Sequence, residues 1–103
     1  MSKKKRVKTP FSMSLPASIT VGGTPYEVRD DPHLEDFGEC EVVSKVIRIN
    51  IKKHLTLQQL LVTWHHETGH AIAEEYGVNM NEKNTDRMAQ GRTQVFKDWM
   101  EAQ

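Results

Sequence analysis

His66, Glu67 and His70 stand in the pattern His-Glu-x-x-His. Two histidines four residues apart project from one face of an α-helix, where neutral imidazoles can share a divalent cation, and zinc is the ion this donor type and spacing favour. A glutamate directly after the first histidine falls beside that ion's open position, where a carboxylate can take a proton from water. As chemistry, His66-Glu67-Thr68-Gly69-His70 implies metal-assisted hydrolysis with Glu67 as general base. The plainer alternative is a pair of exposed helix histidines, and the neighbouring elements decide between the two.

The first requirement is a helix that carries all three residues. Thr56-Leu57-Gln58-Gln59 fits a capping box and predicts a helix from Leu57 to about Tyr76, stopped by Gly77. Leu57, Leu60, Leu61, Trp64, Thr68, Ala71 and Ile72 form its apolar stripe. Thr63, His66, Glu67 and His70 fall on the other side, so one face is expected to pack on a sheet and the other to stay open for chemistry.

Catalytic zinc usually takes three protein ligands, so a further donor is required. A second helix is expected from an Asn81 N-cap to near Ala102, after a short link. Glu82 and Asp86 lie four apart on one of its faces, continued by Ala89 and Thr93. An antiparallel helix pair would bring that face alongside His66 and His70. Glu82 is then the expected third ligand, Asp86 its rival for the role. Asp86 otherwise stands one turn on, placed to accept a hydrogen bond from the remote ring N–H of a ligand histidine. Small Ala89 and Gly69 would let the helices approach closely, while Met88, Arg92, Val95, Phe96 and Trp99 are expected to face the core.

Upstream of the helices the pattern is β. Ile19-Thr20-Val21 and Tyr26-Glu27-Val28 flank Gly22-Gly23-Thr24-Pro25 as a hairpin, and a second pair is expected at residues 39–43 and 46–51. The strand from Val46 to Ile51 alternates as a half-buried strand should and is expected to form an edge able to accept an extended peptide. The fold class is therefore α+β, a small mixed sheet of three to four strands followed by two packed helices. Residues 1–13 read as a flexible basic tail and 14–103 as a single domain.

The chain has 103 residues, with 14 basic and 14 acidic side chains. Lys3, Lys4, Lys5, Arg6 and Lys8 crowd the first ten residues, which leaves the body acidic and unlike a nucleic-acid-binding fold. Nucleic acid is expected only as a weak electrostatic contact of the tail, which also resembles a nuclear targeting signal only faintly. Cys40 has no partner for a disulfide, and no apolar run is long enough to span a bilayer, so a cytoplasmic protein is expected. His54 reads as exposed and His65 as a surface residue or a support for the metal ligands. Tyr26, His33, Tyr76 and Arg92 are unranked candidates for stabilising a transition state.

The paired motifs His66-Glu67-Thr68-Gly69-His70 and Asn81-Glu82-Lys83-Asn84-Thr85-Asp86 resemble those of the gluzincin metallopeptidases, whose glutamate helix carries an Asn-Glu-x-x-Ser-Asp pattern. Only eleven residues separate His70 from Glu82, and in this the chain is similar to the minimal zincin-like proteins of phages and prophages. More distantly it resembles the ImmA/IrrE group, whose Glu-x-x-Ala-x-x-x-Ala segment corresponds to Glu82 through Ala89, with Thr85 in place of the first alanine. The resemblance covers roughly residues 18–100. It implies a zincin-like fold, zinc held by His66, His70 and Glu82 with Asp86 behind them, and hydrolysis of a peptide or protein substrate. Recognition of a protein without cleavage is the alternative it leaves open.

Overall fold

The structure, a computed structural model, describes residues 5–103. It is α+β, with a two-stranded ribbon, a four-stranded mixed sheet and two packed helices. The ribbon pairs β1 (Arg6–Val7) with β2 (Leu15–Pro16). The sheet contains β3 (Ser18–Val21), β4 (Thr24–Asp30), β5 (Gly38–Glu41) and β6 (Val46–Ile49) in the order β3-β4-β6-β5. A 3₁₀ turn over Ile51–Lys53 leads to α1 (Leu57–Tyr76), and α2 (Glu82–Glu101) follows.

Local chemistry sets the helix ends. Thr56 Oγ1 accepts from the Gln59 backbone N–H, while Gln59 Oε1 reaches back to the Leu55 N–H. Gly77 closes α1 in the left-handed conformation, at φ 66°. Asn81 Oδ1 accepts from the Asn84 N–H and starts α2.

Three expectations are corrected. β6 is not an edge, because it pairs in parallel with β4 and antiparallel with β5, and Val46, Ile47 and Ile49 are all buried. The exposed edge beside α1 is β5. The amino-terminal residues expected to be flexible contain β1, and Val7 and Phe11 pack against the core that buries Leu15; residues 1–4 lie outside the described residues. Finally, of the large side chains of α2 expected to face the core only Phe96 turns inward, half-buried beside His65. The helix is otherwise buried at Thr85, Ala89 and Thr93, while Met88, Val95 and Trp99 are exposed. A close helix–helix approach selects small residues, and a Cβ on Gly69 would lie 3.5 Å from Thr85 Cγ2.

The core lies between the sheet and α1, around Tyr26, Ile47, Ile49, Leu60 and Ala71. At the far end of α1, Glu75 ties the helix to the sheet. Its carboxylate accepts hydrogen bonds from Thr24 Oγ1 (2.8 Å), Tyr26 Oη (2.7 Å) and Lys45 Nζ (2.7 Å). These three donors, Lys45 first, hold Glu75 down to about 2, whereas burial pushes Tyr26 up to about 12. Among the described residues, no helix is long and apolar enough to cross a membrane.

Candidate metal centre

His66 and His70 occupy consecutive turns of α1 and turn toward the amino end of α2. Their Nε2 atoms are 3.1 Å apart. The carboxylate of Glu82, in the first turn of α2, bridges them, with Oε2 3.0 Å from His66 Nε2 and Oε1 2.8 Å from His70 Nε2. Asp86 follows one turn later, with Oδ1 3.6 Å from His66 Nδ1. That is just beyond hydrogen-bond length, on the ring nitrogen that faces away from Glu82. The antiparallel helix pair thus brings together the four residues picked out as ligands and support.

The donor set suits a divalent cation. Donors that share one tetrahedral ion at bond lengths of about 2.0–2.1 Å must stand roughly 3.4 Å apart, and three atoms from two helices already converge within about that span. The ligand atoms of His66, Glu67 and His70 also lie within 4.8 Å of one another. The lone pairs of His66 Nε2, His70 Nε2 and the Glu82 carboxylate could hold zinc, with Asp86 beside the His66 ring.

Glu67 does not lie on an open face, as the helical wheel suggests, but is buried at 7 % exposure with Thr63. The reason is Gly38 at the start of β5. A Cβ there would come 2.7 Å from Thr63 Cγ2 and 2.9 Å from Glu67 Cγ, so only glycine lets the edge strand lie so close to α1. Burial pushes the Glu67 carboxyl up to about 7; His66 opposes this, while Glu82, Glu39 and Asp36 reinforce it.

Behind Thr63 stands His54, which is buried, not exposed as the sequence suggests. Its Nδ1–H donates to the Asn50 carbonyl (2.8 Å), which leaves Nε2 to accept from Thr63 Oγ1 (2.8 Å). This link between the 3₁₀ turn and α1 is not readable in the sequence, because the partners are set by the tertiary approach of the two elements. His65 is half-buried against the Phe96 ring, away from the cluster.

The cluster opens into a cavity of about 1260 Å³ between β5 and the two helices. Gly38, Glu39 and Cys40 of β5 form one wall, and Glu82, Asp86 and Gln90 of α2 another. Burial and the nearby Glu67 charge push the Cys40 thiol up to about 12, so it is a packing residue in this wall. None of Tyr26, His33, Tyr76 and Arg92 lines the cavity, and among the described residues no lysine, arginine or tyrosine does. Tyr26 is instead committed to Glu75. No protein-family model, no curated protein and no solved structure matches this chain.

Proposed function

We propose that the protein is a zinc-dependent metallopeptidase of minimal gluzincin type, phage- or prophage-like, that hydrolyses a peptide bond in a peptide or protein substrate in the cytoplasm. The observation that carries this reading is the convergence of His66, His70 and Glu82 beside a buried Glu67 in an open cavity. His66, His70 and Glu82 would hold the zinc, and the bound ion would supply the Lewis acidity that makes water nucleophilic near neutral pH. Glu67 takes a proton on its carboxylate from the attacking water and returns it to the leaving amine. Its displacement above the ordinary carboxylate range suits a group that must both accept and donate. Asp86 orients the His66 ring, and the free edge of β5 holds an extended substrate segment by backbone hydrogen bonds along the cavity.

The absence of a cationic or phenolic side chain from the described cavity wall favours a second reading, in which the same site binds a protein segment without cleaving it. Glu67→Gln separates the two. On the peptidase reading it lowers hydrolysis of a susceptible peptide by about 10²–10⁴-fold with bound zinc unchanged; an unaltered biological effect would favour binding alone. Metal analysis of Glu82→Ala tests the site itself. Full zinc stoichiometry and affinity in that variant would overturn Glu82 as third ligand.

A further inference from the structure

The cavity extends past the candidate metal centre along α1. Glu74 follows His70 by one turn and Glu67 by two on the face that lines the cavity, roughly 10 Å along the helix axis from Glu67. Its neighbour Glu75 accepts from three donors. Glu74 is exposed and, among the described residues, has neither an ion pair nor a hydrogen bond. The wall at this end of the cavity is apolar, with Val42 beyond β5, Ala73 on α1, and Val78 and Met80 in the link to α2. The cations around it are placed elsewhere. Lys45, in the turn after β5, is held by Glu75 at 2.7 Å, and Arg48, paired with Glu39, Glu41 and Asp31, stands on the face of the sheet away from α1. Lys83 and Arg87 are exposed on α2 and do not line the cavity. At the opposite end of β5, Asp36 has Lys53 nearby, over the Phe37 ring.

We propose that Glu74 and the apolar wall beside it form a specificity subsite for an arginine or lysine side chain, so that the segment taken by the cavity is a basic one. The inference rests on the peptidase reading for its register and on the cavity alone for its chemistry. A long basic side chain has an aliphatic stem and a charged head; the stem suits Val42, Ala73, Val78 and Met80, and the head suits a carboxylate with its lone pairs unspent. An acidic side chain in the same place would meet Glu74 as a like charge, which excludes it. Glu67, at 7 % exposure and without a hydrogen-bond partner among the described residues, fixes where the reacting bond sits. A segment extended along the free edge of β5 advances about 3.4 Å per residue. The residue that reaches Glu74 is therefore about three from the bond at Glu67.

The test uses the full chain with zinc and fluorescein-labelled octapeptides of alanine, serine and leucine, each carrying one arginine or one glutamate at a successive position. Binding is read by fluorescence anisotropy on Glu67→Gln, so that no peptide is cut during the titration, and hydrolysis of the same set is followed on the wild type. At one position arginine is expected to bind about ten- to a hundredfold tighter than glutamate, the preference shrinking as salt is raised. In hydrolysis the same ratio should appear in kcat/KM, carried by KM, for arginine about three residues from the cut. Glu74→Gln should bring both ratios close to one and Glu74→Lys should invert them, with far-UV circular dichroism unchanged in each. Peptides bound with this preference but never cut would end the peptidase reading and leave the subsite standing. Peptides cut without the preference, or with a preference that survives Glu74→Gln, would overturn the subsite and leave the peptidase reading standing. Binding of none of the peptides overturns the subsite as well.

Discussion

Two glutamates eight residues apart on the same helix have opposite environments. Glu75 accepts from Thr24, Tyr26 and Lys45 and is held at about 2. Glu67 is pressed against β5, is pushed up to about 7, and has no hydrogen-bond donor among the groups that set its proton affinity. A carboxylate whose lone pairs are taken is a fastening: it joins α1 to the sheet and has nothing left to give a substrate. One that is buried beside two histidines with its capacity unspent costs stability and retains chemistry. The contrast separates a polar group spent on the fold from one left unspent, without any appeal to motif.

Three measurements would break or sharpen that contrast, the largest effect first. Gly38→Ala should destabilise the fold by about 2 kcal/mol in a urea titration, because Thr63 is held by His54 and cannot turn aside from the new methyl. A neutral result would mean that β5 does not confine Glu67. Next, the acid limb. The folded-state proton affinity of Glu75 is depressed, so its contribution is full above the unfolded value near 4.5 and lost as pH falls toward 2. Glu75→Gln should remove that part of the acid sensitivity and lower stability at neutral pH; an unchanged acid limb would show the fastening to be unimportant. The smallest effect belongs to Glu67→Gln in metal-free protein, expected to change stability by no more than about 0.5 kcal/mol or to raise it, since a buried charge is removed. A large loss would make Glu67 a fastening too.

The helix boundaries were legible in the sequence because caps are local: Thr56, Gly77 and Asn81 each act on backbone within a turn of themselves. The candidate site was legible for the same reason, since helical spacing alone aligns His66 with His70 and Glu82 with Asp86. What escaped is long-range. β5 and β6 read correctly as a pair, but nothing in either strand states that β6 also pairs with β4, which moves the free edge to β5. On α2, size misled. Hydropathy assigns Met88, Val95 and Trp99 to the core, yet a close crossing on α1 is decided by how near two backbones can come, and Thr85, Ala89 and Thr93 satisfy that. The burial of Glu67 had one visible signal, a glycine at the start of a strand facing the helix, a position where close backbone approach is a standing possibility.

The small-residue seam between α1 and α2 has a mechanical consequence. Three buried side chains, two of them threonines whose hydroxyls bond back within their own helix, give α2 little apolar adhesion to its neighbour. Glu82 crosses that seam to reach both histidines. An ion gripped from both sides would act as a rivet, and its binding free energy would become docking energy for the whole second helix. Chelation would then register first as a swinging loose of α2, and the loaded and empty forms would differ in hydrogen exchange along its twenty residues well before the sheet is disturbed.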